Sequence, residues 1–285
     1  MVLAAAGFAA MGACVKAGAA QFHAFEMVLW RGVLGTLLMG GWAMARGVSL
    51  RSPHWRLHVS RSAVGATALS AWYYALAHLP LAAAMTLNYT SPLWMALILS
   101  AAALLWKRGR FEPALVAAVL AGFGGVALLL RPSFGEGASL PAAVGLASGA
   151  VSAAALLQVR ALGRLGEPEW RIVFWFCVMQ ALFGAAGTMA GGLHDASAYD
   201  LRGLALLAGI AVCALVGQMS MTRAFGQGRA LLTANLQYLG VVFGALLGWW
   251  LFGEGLDAAS VAGIAVILAS SVAAGMLSSR GARKA

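Results

Sequence analysis

Ten apolar stretches follow one another along the chain, at roughly 2–19, 24–45, 60–78, 82–106, 112–130, 139–162, 170–191, 201–224, 230–252 and 258–278, with short polar gaps between them. Each is long enough to cross a bilayer, because about 20 residues at 1.5 Å rise cover the ~30 Å hydrocarbon core. With 62% apolar residues, only 10% charged ones and a mean hydropathy of +0.85, an ordinary soluble domain is excluded. The chain reads as one all-α integral membrane domain.

The basic residues occupy every second gap. The second gap carries Arg46, Arg51, Arg56 and Arg61; the fourth Lys107, Arg108 and Arg110; the sixth Arg160, Arg164 and Arg171; the eighth Arg223 and Arg229; the C-terminus Arg280, Arg283 and Lys284. Those are 15 of the 19 Lys and Arg residues, against Lys16, Arg131 and Arg202 in the opposite gaps and Arg31 inside a span. The positive-inside rule then puts both termini in the cytoplasm, with an even number of crossings. No removable signal peptide is expected, since the first stretch lacks a charged n-region and a cleavage site before a soluble domain. That first span is short: either it is a tilted helix or the N-terminus is trimmed.

The chain also contains a duplication. Tyr74-Ala-Leu-Ala-His78 through Asn88-Tyr89 matches Arg223-Ala-Phe-Gly-Gln227 through Gln237-Tyr238 at constant offset. Two five-helix blocks are implied, 1–132 and 138–285. Because five is odd, the second block enters from the opposite side, and the repeats are inverted about a central cavity. That architecture points to a solute carrier working by alternating access. Gly- and Ala-rich helix faces, such as Gly32-Val-Leu-Gly35 and Gly122-Phe-Gly-Gly125, would let the backbones approach closely.

Mid-span polar residues face the bundle interior in a membrane protein, so they are the candidates for a solute site. The expected substrate-binding residues are Tyr74, His78, Asn88, Tyr89, Ser91, Trp94, Gln158, Gln218, Asn235, Gln237 and Tyr238. Pro92 lacks an N–H and clashes with the carbonyl of Asn88, which predicts a kink in the fourth helix and a gating role. Asn88 and Tyr89 lie about 100° apart on a helix, so one of them is expected to hold a neighbouring helix instead. Trp42, Trp55, Trp106, Trp170 and Trp250 read as interfacial belts. Glu26, the one acid near a span interior, is close enough to Lys16 for neutralisation, and Arg31 either pairs with Glu26 or snorkels. No carboxylate occupies a midplane position, which disfavours proton exchange on a buried acid.

Other classes find little support. The Arg and Lys residues flank spans instead of forming a stripe interleaved with aromatics, so no nucleic acid is expected despite the net charge of +10. Cys14, Cys177 and Cys213 have no metal-ligand spacing, and no metal or cofactor is expected. No Ser–His–Asp order or His-Glu-x-x-His pair occurs, and the five His residues stand at or near span ends, so no catalytic residue is assigned.

The ten spans, the duplication, Pro92 at the centre of the fourth helix, and Phe252-Gly-Glu254 before a Gly-rich tenth span resemble the drug/metabolite transporter superfamily, specifically its EamA-domain exporters. Trp72-Tyr-Tyr74 and Asn88-Tyr-Thr-Ser-Pro92 look closest to the YddG-type amino-acid exporters. The resemblance implies a basket of ten helices whose cavity is lined by helices 1, 3, 4, 6, 8 and 9, functional as a monomer. It implies export of aromatic and other apolar amino acids, with lipophilic cations, drugs or nucleosides as alternative cargo. This chain departs from the family ending in the first half, where Trp106-Lys-Arg108 stands opposite Phe252-Gly-Glu254.

Overall fold

The structure is a computed structural model that describes residues 1–105, 113–130, 139–192, 199–228, 230–255 and 257–282. Trp106, Lys107, Arg108, Arg110, Glu112, Arg131, Glu136, His194, Asp195, Arg229, Arg283 and Lys284, and the junction between the two five-helix blocks, lie outside the described residues.

The described residues form α1 (Val2–Gly18), α2 (Ala24–Ala45), α3 (Trp55–His78), α4 (Leu81–Asn88), α5 (Ser91–Leu105), α6 (Pro113–Leu130), α7 (Ser139–Arg164), α8 (Glu169–Gly191), α9 (Leu201–Gln227), α10 (Ala230–Asn235), α11 (Leu239–Phe252) and α12 (Ala258–Ala282). α4 and α5 are the two parts of the fourth span. α10 and α11, joined by a 3-10 turn at Leu236–Tyr238, are the two parts of the ninth. Among the described residues, five helical stretches suffice by length and composition to cross a membrane: α2, α7, Glu169–Met189, α9 and Leu232–Phe252. Shorter apolar helices accompany them at Val2–Gly18, Val116–Gly125 and Val261–Ala273. The fold is an all-α membrane bundle.

Contacts between gaps sort the two ends of the bundle. At the charge-poor end, Tyr199 before α9 stacks on Phe22 between α1 and α2, and Lys16 at the end of α1 reaches the carbonyl of Leu79 between α3 and α4. At the basic end, Arg171 and Trp175 of α8 donate to the carbonyls of Ser49 and Leu50 between α2 and α3. Gaps of like charge therefore meet like gaps, as a bundle of antiparallel neighbours requires.

Helix pairing is symmetric under exchange of the first five spans with the last five. Exchanging the first five spans with the last five turns α2 against α8, and α6 against α12, into themselves; both are extensive contacts. The same exchange turns α3 against α7 into α9 against α1, and α11 against α1 into the fourth span against α7; all four contacts exist. α2 starts at the charge-poor end and α8 at the basic end, so the equivalent helices run in opposite directions.

Small residues permit the axial contact. A Cβ on Gly32 would fall 2.8 Å from the Cα of Ala181, and one on Gly184 would fall 2.7 Å from the Cβ of Leu29. Without a hydrophobic force separating protein from lipid, this close backbone approach is what holds α2 to α8. Local signals set the helix ends: the Asp200 carboxylate accepts from the Gly203 N–H (2.6 Å) to cap α9, and Gly253 closes α11 in the left-handed region at φ +65°. The largest buried side chains, among them Tyr73, Tyr238, Met11, Met27 and Met85, fill the centre between α1, α3, α4 and α11.

Candidate functional site

Both broken spans break at the same place in their repeats. In the fourth, the helix stops at Asn88 and resumes at Ser91, with the Thr90 carbonyl accepting from Leu93 (2.9 Å) and Trp94 (3.2 Å). In the ninth, Gln237-Tyr238 lies in the 3-10 turn, which Asn235 ties to α6 by donating from Nδ2 to the carbonyl of Ala118 (3.0 Å). Pro92, in the first turn of α5, has no N–H to offer the carbonyl of Asn88. The ninth span carries no proline at its break, so the turn there is held by its contacts to α6.

A narrow central cavity of about 80 Å³ opens beside these breaks. Asn88, Tyr89, Ser91, Gln218 and Gln237 line it, together with Trp72 and Arg61. Asn88 and Tyr89 both reach the wall, although a continuous helix would set them about 100° apart, because the helix ends between them and Ser91. Asn88 also holds a neighbour, donating from Nδ2 to Ser148 Oγ (2.9 Å) and Ser152 Oγ (3.2 Å) on α7. Ser91 Oγ donates to Gln237 Oε1 (3.2 Å), joining one broken span to the other. Trp72 donates its Nε1–H to the carbonyl of Ala84 (3.2 Å), which fixes the indole beside the Tyr89 ring at a centroid distance of 6.4 Å.

Other expected residues lie elsewhere. Asn235 and Tyr238 are fully buried against α6, Tyr238 with its hydroxyl 3.4 Å from the carbonyl of Val119. Trp94 is 38% exposed and outside the central cavity. Gln158 donates to Ser60 Oγ (2.9 Å) between α7 and α3. Tyr74 and His78 stack on each other at 4.3 Å and line a second cavity of about 940 Å³, at the charge-poor end between α2, α3, α7 and α8.

The charges are arranged differently from the sequence expectation. Lys16 pairs with Glu254 (3.1 Å), not Glu26, and stands over the Phe252 ring at 5.5 Å. Glu254 also accepts from the Leu81 N–H (3.1 Å), so one carboxylate joins the ends of α1, α4 and α11. The left-handed Gly253 makes this possible, since it turns the chain and lets the Glu254 N–H reach back to the Gly248 carbonyl (3.1 Å). Glu26 accepts from the Tyr199 hydroxyl, and Arg31 makes no ion pair with it: the Arg31 guanidinium lies 5.5 Å from the Phe176 ring centroid. Arg61, counted with the second basic gap, is inside α3 and buried. His58 stands at the start of α3 as expected, and is buried there with Nε2 3.4 Å from Glu167.

Arg61, Phe176, Ser152 and Met221 are cavity residues that sequence reasoning missed. A signal existed for the first: Arg61, Gly65, Ala68, Leu69 and Trp72 recur at helical spacing and form one stripe on the cavity. No group of His, Cys, Asp and Glu able to hold a metal occurs among the described residues. The wall can hold a small solute by ring faces, amides and one guanidinium.

A family model described as the EamA-like transporter family matches residues 1–131. A pseudopaline exporter of Pseudomonas aeruginosa (strain UCBPP-PA14) is 33% identical over 272 residues, covering 95% of this chain and 93% of its own. A riboflavin transporter of Rhizobium johnstonii is 31% identical over 221 residues, 76% of this chain and 69% of its own. A solved crystal structure superposes with a TM-score of 0.73 at 21% identity, over 98% of each chain, a likeness of fold.

Proposed function

This chain belongs to the EamA-like transporter family and is a multi-pass exporter of the bacterial inner membrane; we propose that its cargo is an amino acid, aromatic or otherwise apolar, taken from the cytoplasm. The observation that carries this reading is the wall of the central cavity, where the Trp72 and Tyr89 rings stand with the Asn88 and Gln237 amides of the two broken spans and the Gln218 amide of α9. Rings supply apolar contact area and amides fix the orientation of a solute that carries both polar and apolar parts. The cavity holds Arg61 and no acid among its described lining residues, which favours such a solute over a lipophilic cation.

Residues 1–132 and 138–285 are the two units that rock against each other, with the monomer as the working unit. Both termini face the cytoplasm in this reading, so the central cavity lies toward the cytoplasmic side and the Lys16–Glu254 pair closes the outer end. At about 80 Å³ the cavity is well below the ~300–1,000 Å³ of typical ligand pockets, so the helices must part to admit cargo. The exporter and transporter names of the relatives support a small organic metabolite as cargo.

Uptake of labelled phenylalanine into vesicles containing the purified protein tests the proposal. Protein-dependent flux, reduced by unlabelled leucine or tryptophan, is the expected result. Absence of protein-dependent flux for every amino acid tried would sink it.

A further inference from the structure

Among the described residues, two arginines are buried without an acid beside them. Arg61 on α3 is 2% exposed and Arg31 on α2 is 3% exposed, and neither forms an ion pair among the described residues. Both guanidiniums flank one ring, Phe176 of α8, with Arg61 Cζ at 3.8 Å and Arg31 Cζ at 5.5 Å from its centroid. In each arginine Nε and Nη1 are buried with no hydrogen-bond partner, and the Ser62 hydroxyl and the Gln180 amide, on the same three helices, are likewise unsatisfied. Buried polar groups are nearly always hydrogen-bonded, and buried charges nearly always paired, because desolvation is otherwise uncompensated. In a membrane span the cost rises further, and such residues mark a solute path.

Arg61 and Phe176 both line the central cavity. Gly65, one turn after Arg61, clears the space: a Cβ there would fall 3.0 Å from Arg61 Nη1 and 2.9 Å from the Phe176 ring. The guanidinium is thus held against a ring face beside the cavity, with buried Nε–H and Nη1–H groups that no protein acceptor satisfies. A guanidinium presents two parallel donors that match a carboxylate, and it stays charged when buried.

We propose that Arg61, with Arg31 as a second positive charge behind Phe176, binds the carboxylate of the transported solute at the cavity wall. The proposal rests on the export reading and assigns the side chain that recognises the carboxylate of its cargo, the carboxylate being required and not tolerated. The remaining part of the solute then extends toward Trp72, Tyr89 and the amides.

Thermal unfolding of the purified protein in neutral phosphatidylcholine nanodiscs, with succinate or its uncharged diamide succinamide, separates this site from transport itself. Succinate raises the Tm of the native protein by several degrees, succinamide does not, and Arg61→Gln loses the shift while keeping or raising the ligand-free Tm, because an unpaired buried charge has been removed. Equal shifts from both compounds, or a succinate shift retained in Arg61→Gln, overturn the proposal. If Arg61→Gln fails to fold, Arg61 is a structural residue, and Arg31→Gln decides: loss of the succinate shift keeps the anion site, and its retention removes it. Adding phosphatidylglycerol gives the lipid arm; a shift from that lipid with none from succinate assigns the arginines to a headgroup and overturns a solute site. In vesicles, phenylalanine flux exceeds phenylalaninamide flux by about tenfold or more. Failure of all flux with the succinate shift intact refutes the amino-acid cargo but not the carboxylate site, whereas equal flux of the two compounds refutes the site but not export.

Discussion

At the residue scale, Asn88 has two tasks, lining the cavity and tying the broken fourth span to α7 through Ser148 and Ser152. Asn88→Ala leaves two hydroxyls without that donor and is expected to cost about 1–2 kcal/mol of stability, read as a lower Tm in detergent. Glu167 sets a second residue-level prediction. Burial alone would raise its pKa, but hydrogen bonds from Ser52 and Arg171, with the charges of Arg171 and His58, outweigh burial and hold the carboxyl below its ordinary value of 4.5. A lowered folded-state pKa contributes stability that is complete above the ordinary value and is lost as pH falls through the folded one. Tm is therefore expected to decline below about pH 4.5, and Glu167→Gln to flatten that decline; an unchanged slope in the variant contradicts the assignment.

At the element scale, the Phe252-Gly-Glu254 ending acts as a clasp between helices. Glu254→Gln removes the ion pair with Lys16 but keeps an acceptor for the Leu81 N–H, whereas Glu254→Ala removes both. The partly exposed ion pair is worth about 0.2–1 kcal/mol and the backbone bond about 1 kcal/mol more, so chemical denaturation is expected to rank native, then Gln, then Ala. The breaks in spans four and nine coincide although only the fourth has a proline. Pro92→Ala is accordingly expected to keep vesicle flux within about twofold, since Pro sits in a first helical turn, where its missing N–H costs little. A large loss of flux would make Pro92 the cause of the break.

At the scale of the molecule, the two halves meet where α2 crosses α8, and glycine is what lets them meet. Gly32→Ala and Gly184→Ala place a methyl against the opposing helix and are expected to destabilise by about 1–3 kcal/mol. Gly41→Ala, on the same α2 but with nothing within 4 Å of its Cβ, is expected to be neutral or to stabilise by up to about 1 kcal/mol. Comparing the three by thermal unfolding tests whether close helix approach, and not helix propensity, governs the junction.

Span order and the parity of the loops follow from the sequence alone, because membrane crossing depends on properties that add along the chain: apolar length and flanking charge. Part of the cavity wall was legible for the same reason, since Asn88, Tyr89, Ser91, Gln218 and Gln237 are polar or aromatic residues in otherwise apolar runs. Which partner a charge takes is a different kind of fact. Lys16 meets Glu254 across most of the chain, Glu26 is answered by Tyr199, and Arg61 leaves the group of basic loop residues because α3 begins at Trp55, well before it. Tyr74 and His78 look out on the second cavity because the face of α3 they share is turned away from Trp72. Rotation of a helix about its axis and pairing at long range are set by packing against neighbours, so only the tertiary structure decided that the central cavity holds a positive charge without a counter-ion among the described residues.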